Sequence, residues 1–120
     1  GSVLMVEFEL DGQPFTALNG GPEFTFNEAV SFQVNCQTQQ DVDYFWERLG
    51  AGGDPRAQVC GWLKDRFGVS WQIVPDRVTA LLAADDRARA SRVMTAMMKM
   101  KKIDINELER AAASGVSSLA

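Results

Sequence analysis

The sequence predicts an α+β domain: an antiparallel sheet with helices on one side and a helical C-terminus. Three observations carry this. Apolar and polar residues alternate in separate stretches before residue 76, as half-buried strands do. Val42, Phe45, Trp46 and Leu49 recur at helical spacing between two of those stretches. After Pro75 the pattern is helical throughout. The order of elements is not the alternating strand–helix repeat of a dinucleotide fold.

Residues 3–10 end in strict alternation, with Val6, Phe8 and Leu10 on one face and Glu7 and Glu9 on the other. Asp11-Gly12 signals a tight turn, residues 14–19 return as the partner strand, and Gly20-Gly21-Pro22 closes the hairpin. Residues 29–36 alternate again. Val30, Phe32, Val34 and Cys36 share one face; Ala29, Ser31, Gln33 and Asn35 share a small polar face that suits water or a ligand. Thr38 fits an N-cap and Asp41 favours the positive end of the helix dipole, so a helix is expected from Thr38 to about Gly50. Residues 50–55, GAGGDP, form a loop.

"CGWLKDRFGVSWQIVP", residues 60–75, reads as two short strands around the bend Asp65-Arg66-Phe67-Gly68. Gln72 interrupts the apolar run of Trp71, Ile73 and Val74. A plain core strand has no need of that glutamine, whereas a strand lining a pocket does. Trp71, one residue along, points the other way and packs under the helix, with Val30 and Phe32. Trp62 is a candidate pocket wall. Beyond Pro75, Val78, Leu81 and Leu82 suggest a first helix. Asp85-Asp86 opens a second through Val93, Met94, Met97 and Met98. Asp104 caps a third, which frays over residues 114–118.

At 120 residues and 46% hydrophobic composition, one packed domain is expected. The net charge of −4 disfavours nucleic acid as a partner. No apolar run approaches a membrane span, and the N-terminus lacks a charged-then-apolar signal pattern, so the cytoplasm is the expected location. Cys36 and Cys60 are read as free thiols of a reducing compartment. Histidine is absent, which removes imidazole acid–base catalysis, Ser-His and Cys-His nucleophiles and the commonest metal ligand.

The stretch "FELDGQPFTALNGGPEFTFNEAVSFQVNCQTQQDVDYFWERLGAGG", with "CGWLKDRFGVSWQIVP" and "RVMTAMMKMKKIDI", closely resembles the PhnB-like family over nearly the whole chain. That family belongs to the vicinal-oxygen-chelate superfamily of glyoxalase, bleomycin-resistance protein and extradiol dioxygenase. The resemblance implies paired βαβββ modules whose curled sheets enclose a cleft for a small molecule. It assigns residues 1–75 to a glyoxalase-like region with an incomplete first module, and residues 76–120 to a helical segment packed on the same domain. The first module's opening strand, helix and second strand are missing, so these residues are either a fragment or a chain whose missing wall another chain supplies. Where relatives place metal ligands, this sequence has Ala29, Gln72 and, in the first module, Asn19. Neutral amides do not offset the desolvation of a cation, so no metal and no cofactor are expected.

Asn19, Ser31, Gln33, Trp62 and Gln72 are therefore the candidate cleft residues, weighed against a merely solvated sheet face. Lys64 and Asp65 offer acid–base chemistry, but a turn explains Asp65. Cys36 falls on the apolar face and has no activating base. The methionines of residues 94–100 follow the spacing of a packing stripe. Family members often carry a methyltransferase label for a ubiquinone precursor. Neither glycine cluster lies between a first strand and a helix, where adenosylmethionine would need it, so that chemistry is not expected. The expected function is binding of a small molecule, in a homodimer that completes the cleft. The alternative is a metal-dependent lyase, isomerase or dioxygenase with charged ligands from the missing segment. No catalytic residue is assigned.

Overall fold

The computed structural model describes residues 3–83 and 85–117. In chain order its elements are β1 (Met5–Leu10), β2 (Gln13–Leu18), β3 (Ser31–Cys36), α1 (Gln39–Gly50), β4 (Trp62–Lys64), β5 (Ser70–Pro75), α2 (Asp76–Leu82), α3 (Arg87–Met98) and α4 (Ile105–Ser117).

The first hairpin forms where the alternation puts it. Asp11 and Gly12 take φ of 52° and 79°, the backbone that lets a two-residue turn follow the twist of its strands. β1 and β2 pair from Met5↔Leu18 to Leu10↔Gln13, which gathers Val6, Phe8 and Leu10 with Phe15 and Ala17 on one face. Glu7 and Glu9 take the other.

β3, β5 and β4 form a separate three-stranded sheet in that order. It was expected to be antiparallel and is mixed: β4 pairs with β5 antiparallel, but β3 pairs with β5 parallel. The cause is α1. The helix and the loop after it carry the chain across one face, so β4 enters one position beyond β3. β5 then folds back into the gap, running the same way as β3. Thr38 caps α1 as expected, its Oγ1 accepting from the Asp41 N–H at 3.1 Å. The helix buries Val42 against Cys36, Leu63 and Ile73, flanked by Val34, Phe45, Trp46, Leu49 and Trp71.

A second core joins α2, α3 and α4 through Val78, Leu81, Val93, Met97, Ile103 and Leu108. These helices do not share the α1 face. They pack beside Cys60 and Val74, at the end of the sheet where β5 runs directly into α2 through Pro75. Asp86 and Asp104 supply the expected caps, accepting from the N–H groups of Arg89 and Glu107. Gln39 ties this core to α1: its Nε2 donates to the Ile103 carbonyl at 3.0 Å and its Oε1 accepts from the Ile105 N–H at 2.8 Å. The bend before β4 adds a second tie, with the Cys60 and Gly61 N–H groups donating to the Met100 and Lys101 carbonyls. Gly61 sits at φ 85°, and a Cβ there would come 3.2 Å from Ile103.

Three local expectations change. β3 begins at Ser31 rather than Ala29, because the Ala29 N–H donates to the Asn27 side chain at 2.9 Å and holds a turn. Val30, ahead of the strand, is exposed instead of lying beneath α1. Fraying was expected over residues 114–118, but α4 runs on to Ser117, and residue 118 lies outside the described residues. Among the described residues no helix is long and apolar enough to cross a membrane.

Candidate functional site

The β3–β5–β4 register decides which side chains meet. Gln33, Gln72 and Trp62 lie abreast across the three strands, and Ser31, Ser70 and Lys64 form the neighbouring row. Side chains alternate along each strand, so both rows fall on the face opposite Trp71, Ile73 and Leu63, which α1 covers. Gln72 Nε2 donates to Ser31 Oγ at 2.9 Å, joining the two rows. Gln33 Nε2 donates to Asn35 Oδ1 at 2.8 Å. Four of the five candidate cleft residues, Ser31, Gln33, Trp62 and Gln72, thus share one surface.

Asn19 does not join them. It sits at the base of the first hairpin, beyond the Met5↔Leu18 pair. Its backbone N–H donates to the Leu4 carbonyl at 2.8 Å and its Nδ2 to the Val3 carbonyl at 3.2 Å. Those bonds extend the hairpin by one residue, a structural use of the amide. Ala29, the other mapped ligand position, is in the turn before β3.

Two members of this face were missed in the sequence. The alternation does not by itself mark Ser70, and it offers Lys64 only as an acid–base group. The signal is present, since counting two back from Gln72 and two on from Trp62 reaches them once the bend is fixed at residues 65–68. Trp62, Lys64 and Ser70 line a cavity of about 620 Å³ together with Val59 and Glu28. The Lys64 ammonium pairs with the Glu28 carboxylate, and the Lys64 hydrogen bond, foremost, holds that carboxyl below its usual range.

Asp65 is fully engaged by its own turn. Its Oδ1 accepts from the Phe67 and Val69 N–H groups at 2.9 and 3.0 Å, and its Oδ2 from the Trp71 indole N–H at 2.9 Å. These three bonds pin it as the keystone of the bend. Cys36 is buried, and its thiol is pushed up to about 11, first by burial and then by the charges of Asp41 and Asp76. A thiol so disfavoured as thiolate is a poor nucleophile.

A second groove of about 620 Å³ opens on the α1 side, where the hairpin tip meets the outer edge of β3. Phe15, Phe32, Phe45, Leu49 and Trp71 make it mainly apolar, and Asp11, Asn35 and the candidate Gln33 also line it. A ladder of rings runs through it, Phe8 to Phe15 at 5.6 Å, Phe15 to Phe32 at 6.0 Å and Phe32 to Trp71 at 5.4 Å. Phe32, expected beneath α1, is instead exposed and packs on Phe15 of the hairpin and Trp71 of β5, outside the cluster that α1 buries.

The polar face offers amides, hydroxyls, one indole and one ammonium. These orient and hydrogen-bond an oxygen-bearing molecule, and they supply little charge to a cation. Among the described residues no three His, Cys, Asp or Glu side chains gather closely enough to hold a metal ion.

The sequence model of the family described as 3-demethylubiquinone-9 3-methyltransferase matches residues 1–74. Among solved structures, the chain is similar to a putative 3-demethylubiquinone-9 3-methyltransferase, the PhnB protein from Bacillus cereus. The two are 33% identical with a TM-score of 0.53, over 62% of this chain and 66% of that one. The chain therefore spans just under two thirds of that protein's length. No curated protein matches.

Proposed function

This chain belongs to the PhnB-like family described as 3-demethylubiquinone-9 3-methyltransferase, and from that premise we propose that it binds a small molecule on the polar face of β3, β5 and β4. One observation carries the reading: Ser31, Gln33, Gln72 and Trp62 lie side by side, on the face that α1 leaves open. An aromatic wall beside a few convergent polar groups is the usual make-up of a small-molecule site. A second copy of the chain closes the cleft from above. Nucleic acid is not part of this reading, given the net charge of −4, and the two unbridged cysteines suit the reducing cytoplasm.

Methyl transfer is not assigned. Gly20-Gly21 lies in the connection after the first hairpin and Gly52-Gly53 in the loop after α1. The strand-to-helix turn that would face a cofactor is Gln37-Thr38, which has no glycine. A metal-dependent reaction is not assigned to this face either, because Ser31, Gln33, Ser70 and Gln72 offer neutral oxygens and the Glu28 carboxylate beside them is paired with Lys64. Protein purified without chelator should contain far less than one equivalent of transition metal. Stoichiometric zinc, nickel or manganese lost on Gln72→Ala would overturn that statement.

The binding reading is tested by a thermal-shift screen of small oxygen-bearing and aromatic compounds, followed by titration of the hits. Gln72→Ala and Trp62→Ala should each weaken binding about tenfold, the scale of one or two lost contacts in a shielded site. Hits that bind both variants as tightly as the parent chain place the site elsewhere and sink the proposal.

A further inference from the structure

β4 and β5 set Lys64 directly opposite Ser70, in the cavity that Trp62, Glu28, Asp54 and Arg56 also line. The two cations there are held differently. Arg56 is clasped by Asp54 through its backbone N–H (2.9 Å), its Nε (3.1 Å) and a terminal nitrogen (3.1 Å). Its charge is neutralised within its own turn. Lys64 is paired with Glu28, a residue of the turn before β3 that belongs to no strand or helix. The Glu28 side chain is 63% exposed and that of Lys64 29%. A pair of this kind contributes little to stability and exchanges readily.

Ser70 supplies an independent observation. It is 1% exposed, and its Oγ has no hydrogen-bond partner among the described residues. Buried hydroxyls without partners are rare in native proteins because the loss of water is uncompensated. This one lines the same cavity as the Lys64–Glu28 pair, where an incoming acceptor would satisfy it.

Resting on the binding reading above, we propose that the ligand carries a carboxylate, which displaces Glu28 from Lys64 and accepts a hydrogen bond from Ser70 Oγ. The remainder of the ligand lies along Trp62 toward Gln72, its cross-strand neighbour. Glu28 acts as an internal carboxylate that occupies the site in the free chain, so every ligand competes with it. A monoanion fits better than a dianion: the lining holds Lys64 and Arg56 against Glu28 and Asp54, and displacing Glu28 frees one cation.

Benzoate is the probe, with benzamide and phenyl phosphate as comparisons, read by the indole N–H resonance of Trp62 assigned through Trp62→Phe. Benzoate should shift that resonance and bind about tenfold tighter to Glu28→Gln, in which the competing charge is gone. Ser70→Ala should bind it more weakly, and Lys64→Met should abolish the preference for benzoate over benzamide. The exposed Glu28→Gln variant keeps the test decisive should Lys64→Met unfold. Benzoate and benzamide binding alike, with no response to Glu28→Gln, overturns the carboxylate inference and leaves the binding reading standing. Phenyl phosphate gaining more than benzoate from Glu28→Gln overturns the choice of carboxylate. Benzoate failing to bind Glu28→Gln overturns the inference too, and the binding reading falls with it only if the neutral compounds of the screen also fail.

Discussion

Asp65 gathers three donors onto one carboxylate, two from the backbone of the bend and one from the Trp71 indole. Asp65→Ala strands all three, the indole in a half-buried position, and should lower unfolding free energy by about 2–4 kcal/mol. Asp65→Asn keeps one acceptor oxygen and should cost less. Urea midpoints check the order, and an alanine variant within about 0.5 kcal/mol of the parent contradicts it. Cys36 makes a prediction in pH. Its folded pKa of about 11 stands above the ordinary 9.0, so above pH 9 the unfolded chain releases this proton first. The stability linked to the thiol is complete below pH 9 and is lost as pH rises toward 11. Melting temperature should fall less steeply over that window in Cys36→Ala, and parallel curves for the two proteins would refute the assignment. At this scale the sequence is half legible. DRFG names Asp65 as a turn residue, but its hold on Trp71 depends on which way a side chain six residues away turns. Ser70 and Lys64 can be counted along each strand from Gln72 and Trp62, but only the cross-strand register sets them opposite one another.

Local elements read most directly from the sequence, because their causes are local. Asp11-Gly12 set the first hairpin, Thr38 starts α1, and Asp86 and Asp104 start α3 and α4. The parallel β3–β5 ladder and the separate core of α2–α4 were not legible. Periodicity marks which residues are buried without saying against what. Gln39 shows the gap well. In sequence it is an ordinary first-turn residue; in space its amide joins α1 to the segment entering α4. Gln39→Ala should destabilise the chain by about 1–3 kcal/mol and speed hydrogen exchange in α4 before it affects α1. Uniform acceleration of both would show that the bridge does not separate two units. Gly53 is a stricter case, since a Cβ there would lie 2.0 Å from the Lys64 carbonyl oxygen. Gly53→Ala must move β4 or the loop, and should cost at least about 1–3 kcal/mol by urea unfolding.

Over the whole molecule, the chain is stretched. Its radius of gyration is 17.6 Å and its long axis 70 Å, where a compact domain of this length has a radius of about 14 Å. Every residue of β1 is exposed, as is all of β2 except the half-buried Phe15. Val6, Phe8 and Leu18 are 51%, 41% and 66% exposed, and a two-stranded hairpin anchored chiefly through Phe15 is marginal in water. β3 lies at the outer edge of its own sheet, with the apolar groove beside it. We propose that a second copy of this chain covers both features in a twofold dimer, and in doing so closes the polar cleft. A twofold axis makes the two copies exchange equal arm-to-edge contacts and closes the assembly, whereas the same contact without that symmetry would propagate as a fibre. Light scattering at micromolar concentration should give twice 13.2 kDa. The double variant Val6→Lys and Phe8→Glu changes only exposed positions outside both buried clusters. It should leave the helical circular-dichroism signal in place while halving the mass and weakening ligand binding together. A parent chain that scatters as 13.2 kDa and still melts cooperatively overturns the dimer. A variant that halves the mass but binds ligand unchanged keeps the dimer and removes its part in the cleft.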